Sequence, residues 1–280
     1  MAYSVIMPAY NAEATIEEAV ASAFSQVPAP AEVIVGDDGS TDQTRSRAQT
    51  SGAKVLQLPK ANGAVARNQA VLVSTQDILL FLDADDLWLP GHAEFHLEAH
   101  RSGERLVLSR AKPFYDSGEE PNWIAGRLPS GRHDWKALIN HRAWPTGSGF
   151  SVLRQAYQDV GGFNEKLIKF QDVDFWVRCA AKFGFFQVDE ILTRYRLREG
   201  SVGKGTQRHE ENLETMLSGW LFATEDEKQR MRRVAHLLLS EQLRWPESLH
   251  WMRKAGFPLG NRFFWKCLIV SLKRTIMNCK

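Results

Sequence analysis

The chain has 280 residues and a mass of 31.7 kDa, with 44% hydrophobic, 10% aromatic and 24% charged residues. That balance excludes disorder, collagen-like repeats and a disulfide-held miniprotein, and it leaves room for a large core. The formal net charge of +2 hides an asymmetry: residues 201–280 carry 14 basic and 8 acidic groups, so the tail is +6 and residues 1–200 are −4. Cys179, Cys267 and Cys279 are odd in number, widely spaced and without a Cys-x-x-Cys pair. They point to a reducing cytosol rather than to a disulfide framework or a zinc knuckle.

The N-terminus has no basic run and reaches Pro8 too early for a signal peptide. Tyr3–Met7 is a short apolar run that predicts a strand. Thr15-Ile16-Glu17-Glu18 reads as a capping box, and Ile16, Ala19, Val20, Ala23 and Phe24 follow at helical spacing. Glu32–Gly36 is a second strand, ending in Asp37-Asp38-Gly39-Ser40, where Ser40 is expected to cap a helix over about Thr41–Ser51. A third strand is predicted at Val55–Leu58, a helix over about Ala64–Ser74, and at Ile78–Leu82 an unbroken apolar run typical of a strand buried on both faces. This alternation predicts an α/β fold with a mostly parallel, Rossmann-like sheet flanked by helices. In such sheets ligands sit at the carboxyl ends of the strands. Pro8-Ala9-Tyr10-Asn11, Asp37-Asp38 and Asp83-Ala84-Asp85-Asp86 fall there.

Further on, strand-like pieces at Leu106–Leu108, Gly149–Val152 and Phe185–Val188 mix with helix signals at Arg154–Val160 and Asp172–Lys182. Tyr115–Arg132, with two prolines and three glycines, reads as a long loop. Beyond Ser201 the signals are helical: about 207–222, 226–243, 246–254 and 261–277. The apolar stretch Cys267–Leu272 is bracketed by Lys266 and Lys273, so no spanning helix is expected.

Two carboxylates one residue apart at a strand end, Asp83 and Asp85, can both turn toward a divalent cation, one directly and one through a water or a sugar hydroxyl. Mg²⁺ and Mn²⁺ take such oxygen ligands together with phosphate oxygens. The alternative is an acidic turn capping the helix near Pro90. A carboxylate at Asp37 or Asp38 can accept from the imide N–H of a uracil or thymine ring, or can simply close its turn. His92, His96 and His100 recur every four residues on one helix; a packed or solvated face explains them better than a metal site.

Taken in order, Ser4-Val5-Ile6-Met7-Pro8-Ala9-Tyr10-Asn11, Asp37-Asp38-Gly39-Ser40-Thr41-Asp42, Ala66-Arg67-Asn68, Phe81-Leu82-Asp83-Ala84-Asp85-Asp86, Gly161-Gly162-Phe163-Asn164-Glu165 and Gln171-Asp172-Val173-Asp174-Phe175-Trp176 resemble the family 2 glycosyltransferases, inverting enzymes of the GT-A fold that use nucleotide-sugar donors. The likeness spans about Tyr3 to Ser201. It implies a catalytic domain over 1–200, with a nucleotide-sugar-binding half over about 1–110, an acceptor-binding half over about 111–200 and a helical extension over 201–280. It also implies that Pro8, Ala9, Tyr10, Asp37, Asp38, Arg67, Asp83 and Ala84 bind the nucleotide sugar, with Tyr10 against the base and Asp37 or Asp38 receiving its N–H. Asp85 would be the direct ligand of Mn²⁺ or Mg²⁺, Asp172 the general base, and Gln171 and Gly162 would lie on the acceptor side; apart from the resemblance, Trp144 is a candidate acceptor-side floor, since an aromatic face suits the C–H side of a pyranose.

Two positions depart from the family pattern. Gln171 stands where the family commonly has Glu, and Arg198 where it often has His; Arg198 is expected to grip the diphosphate instead of a metal. Structural readings compete for Gly162, as a helix end and turn, and for Trp144, as a core residue.

After Glu247 no acidic residue occurs, while seven basic residues interleave with Trp251, Phe257, Phe263, Phe264 and Trp265. That pattern suits an interfacial helix on an anionic membrane, or a helix packed on the protein or a second copy. Nucleic acid is not the expected partner. The sequence thus predicts a metal-dependent enzyme, cytoplasmic or peripheral at the inner face of the cell membrane. It would move a sugar, from UDP in the first instance, to a glycan or lipid-linked hydroxyl in bacterial surface-polysaccharide assembly. A metal-dependent nucleotidyltransferase is the alternative, although Pro8-Ala9-Tyr10-Asn11 is not a glycine-rich phosphate loop; a catalytically silent nucleotide-sugar-binding protein is another.

Overall fold

The computed structural model describes residues 1–141, 144–197, 208–242 and 254. The chain divides into two compact units, Met1–Leu197 and Arg198–Lys280.

In the first unit, β1 (Ser4–Ala9), β2 (Glu32–Asp37), β3 (Lys54–Gln57) and β4 (Ile78–Phe81) are parallel and lie in the order β3-β2-β1-β4. Helices α1 (Ile16–Phe24), α2 (Thr44–Thr50) and α3 (Gly63–Val73) connect them. The apolar runs predict this because both sheet faces are covered: every residue of β2 and β4 is buried. Gly36 lets α3 come close, since a Cβ there would stand 2.5 Å from the Ala66 carbonyl oxygen.

The sheet continues β4-β8-β6-β9-β5. After β5 (Leu87–Trp88) and α4 (His92–Arg101) come β6 (Leu106–Phe114), β7 (Gly131–His133), α5 (Trp135–His141), β8 (Phe150–Leu153), α6 (Arg154–Asp159), α7 (Gln171–Phe183) and β9 (Phe185–Arg196). Strand β8 is antiparallel to both β4 and β6, β9 is parallel to β6, and β5 and β7 are antiparallel to β9. The parallel half is therefore the N-terminal one, and the rest of the sheet is mixed.

Two local expectations are corrected. Thr15 precedes α1 without capping it; its hydroxyl donates to the Ala84 carbonyl at 2.8 Å, tying the helix to the acidic loop. Ser40 does not cap α2 either. Asp42 accepts from the Thr44 N–H at 3.0 Å, and the Ser40 hydroxyl accepts from the Asn11 N–H at 3.0 Å. In both cases a partner from a neighbouring strand end outcompetes the local bond.

The three histidines of α4 form a packed, buried face. His92 stacks between Trp88 and His96, with centroids 4.2 and 4.4 Å away. Ser151 Oγ lies 2.8 Å from His96 Nδ1 and 2.7 Å from His100 Nε2.

The second unit contains α8 (His209–Gly219) and α9 (Glu225–Gln242), with Leu213, Met216, Leu217, Met231 and Ala235 buried. Arg232 of α9 joins the helices by an ion pair to Glu214 of α8 (2.8 Å) and also pairs with Glu225 of its own helix (2.7 Å). The helices expected over 246–254 and 261–277 lie outside the described residues, apart from Lys254, and so does the basic segment 248–280. Among the described residues no helix is long and apolar enough to cross a membrane.

Candidate active site

The parallel register sets Ala9 beside Asp37 and Ile6 beside Phe81, so the strand ends carrying the predicted residues are neighbours. Asp38 N–H donates to the Ala9 carbonyl at 2.8 Å and fixes the two loops together. Tyr10 is 46% exposed beside them.

Asp37 is fully buried. Its oxygens accept from the Ser40 N–H (3.1 Å) and from Arg45 Nε (3.0 Å). Asp38 accepts from the Ala61 N–H (2.7 Å) and from Lys60 Nζ (2.6 Å), and the same ammonium lies 3.3 Å from the centre of the Tyr10 ring. Sequence reasoning overlooked Lys60 and Arg45, which belong to no motif.

Helix α3 starts firmly, because the Asn62 side chain accepts from the N–H groups of Ala64 (2.9 Å) and Val65 (3.1 Å). One turn on, Arg67 is 8% exposed and points its fork across the sheet ends. It donates to Asp83 Oδ1 at 2.5 Å and to Gln171 Oε1 at 3.3 Å. Gln171 is held in turn by the Leu167 carbonyl, 2.7 Å from its Nε2. Asp172 follows in the first turn of α7, which starts from Phe170 in a left-handed conformation (φ 62°). Burial raises the Asp172 carboxyl above its usual range and nearby Asp83 adds to this, while Arg67 opposes it. Arg67, Asp83, Gln171 and Asp172, spread over more than 100 positions of sequence, thus share one electrostatic neighbourhood. Gly147 backs it: a Cβ there would stand 2.6 Å from Asp83 Oδ2.

The acidic loop is clamped from behind by residues the motifs did not single out. Ser148 Oγ accepts from the Asp83 N–H (2.9 Å) and donates to Asp86 Oδ2 (2.6 Å). Asp86 also accepts from the Arg196 N–H (2.8 Å), and Arg196 Nε donates to the Asp85 carbonyl (2.7 Å). The Arg196 guanidinium further pairs with Glu18 and Asp116. Burial pushes the Asp86 carboxyl well above its ordinary value, and Asp85 and Asp83 push it further. Asp86 is therefore a structural anchor, whereas Asp83 and Asp85 stay partly exposed.

Those two carboxylates are the hard oxygen donors that Mg²⁺ or Mn²⁺ accepts. Among the described residues no group of three or more His, Cys, Asp or Glu is placed to hold a metal ion. A cation held by these two would complete its shell with water or with oxygens of a ligand such as a diphosphate.

Trp144 is half-buried, and its indole N–H donates to the Leu138 carbonyl at 3.0 Å. Gly162, at φ 67°, closes the turn after α6. Its N–H donates to the Tyr157 carbonyl (3.0 Å) and its own carbonyl accepts from Arg178 (2.8 Å). A Cβ at Gly162 would meet Tyr157 Oη at 2.9 Å. Arg198 lies outside the described residues.

The Glycosyl transferase family 2 model matches residues 4–161. Amylovoran biosynthesis glycosyltransferase AmsB of Erwinia amylovora is 30% identical over 224 residues, 73% of either chain. UDP-Glc:alpha-D-GlcNAc-diphosphoundecaprenol beta-1,3-glucosyltransferase WfgD of Escherichia coli is 39% identical over 98 residues, 34% of this chain and 39% of that protein. An uncharacterised glycosyltransferase of Rickettsia felis is 25% identical over 85% of this chain, and the chain spans 41% of that relative's length. Among solved structures, residues 1–349 of S. aureus TarS in complex with UDP-GlcNAc superpose with a TM-score of 0.69 at 19% identity, covering 98% of this chain and 82% of that one. With the family model over more than half its length, a mixed sheet and a fold that superposes on TarS, the chain belongs to glycosyl transferase family 2 and has the GT-A fold.

Proposed function

We propose that the chain is an inverting glycosyltransferase that moves a sugar from a UDP-sugar to a hydroxyl of a glycan or lipid-linked acceptor during bacterial surface-polysaccharide assembly. The observation that carries this reading is Arg67, whose fork joins Asp83 at the end of β4 to Gln171 beside Asp172 at the start of α7. It sets a donor-side carboxylate next to a candidate base of raised pKa. The names of the relatives support the setting: AmsB is named for amylovoran synthesis, ExoU of Rhizobium meliloti for succinoglycan, and WfgD for a UDP-Glc donor and a diphosphoundecaprenol acceptor.

In this reading 1–200 is the catalytic domain, its donor half over about 1–110 and its acceptor half over about 111–200. The base lies on Tyr10 near Asp37 and Asp38, Pro8, Ala9 and Ala84 line the nucleotide, and Asp83 holds the ribose. Arg67 balances the charge of Asp83 and approaches the base or the diphosphate; Arg198 is the further residue assigned to diphosphate binding. Asp172 accepts the proton of the acceptor hydroxyl as it attacks the anomeric carbon from the face opposite the leaving diphosphate. Inversion follows from that single displacement. Gln171, Trp144 and Gly162 flank the acceptor. Asp85, with Asp83 behind it, would hold Mn²⁺ or Mg²⁺, which neutralises charge on the departing diphosphate when bound. The basic segment 248–280 brings the site to an anionic membrane surface.

The test incubates the full chain with Mn²⁺ and a panel of nucleotide sugars, with and without bacterial lipid extracts, and follows nucleoside diphosphate release. Acceptor-dependent UDP release supports the reading. Pyrophosphate release, or donor binding without turnover, refutes it.

A further inference from the structure

Lys60 stands between the two groups expected to meet the nucleobase. Its ammonium is 2.6 Å from Asp38 Oδ2 and 3.3 Å from the centre of the Tyr10 ring. The two carboxylates beside it differ in what they can release. Asp37 is enclosed, with one oxygen on a backbone N–H and the other on Arg45. Asp38 keeps one oxygen on the Ala61 N–H, while the other, among the described residues, accepts from Lys60 alone, whose side chain is 50% exposed. A base stacking on Tyr10 must take the ammonium's place on the ring face. That exchange trades a cation–π contact for ring stacking, leaves the ammonium at the base's rim and frees one Asp38 oxygen toward the base edge.

We infer that Lys60 is a base-specificity residue: with Asp38 it forms a donor–acceptor pair that selects a base carrying a C=O beside an N–H. This assignment rests on the glycosyltransferase reading above and goes beyond it. Uracil presents N3–H to the carboxylate and O4 to the ammonium, so both bonds form and both are charge-assisted. Cytosine has the same size and shape with the pattern reversed: its N3 lone pair faces the carboxylate, and its amino group faces the ammonium. With cytosine bound, the buried Asp38 carboxylate would face a lone pair and the half-exposed ammonium would face an amino group. Stacking on Tyr10 does not distinguish the two rings, so the discrimination falls on this pair.

The test is calorimetric titration of the full chain, in MnCl₂, with UDP and with CDP, on wild type, Lys60→Met and Lys60→Arg. Wild type is expected to bind UDP about 10- to 100-fold more tightly than CDP, the span of a bidentate base contact. Lys60→Met is expected to shrink the ratio at least about threefold, through loss of the O4 contact with UDP, Asp38 keeping the N3 share, and Lys60→Arg to restore part of it, since its fork can still donate to O4. A merely structural role would weaken both nucleotides alike and leave the ratio intact. A Lys60→Met ratio equal to wild type, or wild type binding CDP as tightly as UDP, would overturn the assignment while leaving the glycosyltransferase reading untouched. Failure of wild type to bind either nucleotide would overturn that reading, and the assignment with it.

Discussion

Gly147→Ala tests whether the position of Asp83 governs turnover. An added Cβ would stand 2.6 Å from Asp83 Oδ2 and 3.3 Å from Cγ, so roughly 1 Å of movement is needed to reach ordinary contact. Asp83 has little room to give, because Arg67 holds its other oxygen at 2.5 Å and Ser148 holds its N–H at 2.9 Å. The carboxylate must rotate off Arg67, or the loop carrying Gly147 must back away. Overpacking of this kind costs about 1–3 kcal/mol of stability. A displacement of about 1 Å at a substrate-positioning group costs about a hundredfold in rate. The assay is UDP release at saturating donor and acceptor, with a thermal melt on the same preparation. The expected outcome is a folded protein with kcat reduced about a hundredfold. The control is Gly219→Ala, at the end of α8 with no atom within 4 Å of the added Cβ; full activity and equal or greater stability are expected of it. A Gly147→Ala enzyme with wild-type turnover would refute the argument that Asp83 must sit where Arg67 holds it.

The α4 histidines make the fold sensitive to acid. Burial lowers His92 to about 3 and His100 to about 4, and His96 well below its usual value, so the folded state keeps them neutral while the unfolded chain protonates near 6.5. Their stabilisation is present above that unfolded value and is lost as pH falls toward the folded values. His92 and His100 each cost about 2 kcal/mol on going from pH 7 to pH 5, and His96 acts in the same direction; a melting temperature flat over that range would contradict the buried, neutral stack. Ser148→Ala removes the hydroxyl that pairs both Asp83 N–H and buried Asp86. A loss of about 1–3 kcal/mol, read by denaturant unfolding, is expected, and unchanged stability would show that Asp86 finds another partner. The 280-residue chain should float with anionic liposomes, and a chain ending at Glu247 should not, with adsorption weakening as salt rises; equal flotation would remove the membrane role of 248–280.

The parallel half of the fold is legible in the sequence because its strands are buried on both faces, so Val33–Val35 and Ile78–Phe81 read as continuous apolar runs. The ligand end is legible for the same reason, since polar residues interrupt those runs only at the strand ends. Strands β6 and β9 extend well past their apolar cores, to Phe114 and Arg196. They pair with each other there, so backbone bonds rather than an apolar pattern carry them through Arg110, Lys112 and Arg194. Within the site, the carboxylates and Arg67 announce themselves by motif. Their supports do not: Arg196 meets Asp86 across 110 positions and Ser148 across the sheet, and each is an ordinary residue until the fold brings it there. Thr15 carries a cap signal that is locally correct, but Ala84 offers its hydroxyl a partner 69 positions away. Lys60 lies in a loop between β3 and α3, where charge patterning alone cannot mark it as facing a ring.

The central claim is that Asp172 takes the acceptor proton while the Asp83–Asp85 loop binds the donor. Measuring UDP affinity by titration and sugar transfer by UDP release, in Mn²⁺, on wild type, Asp172→Asn and Asp85→Asn separates the two roles. Because burial raises the Asp172 carboxyl, wild-type transfer should rise with pH as the carboxylate forms. Asp172→Asn should keep UDP affinity, lose that pH limb and transfer about 10²–10⁴-fold more slowly, whereas Asp85→Asn should lose Mn²⁺-dependent UDP binding itself. Wild-type transfer by Asp172→Asn, or undiminished Mn²⁺-dependent UDP binding by Asp85→Asn, would contradict the account.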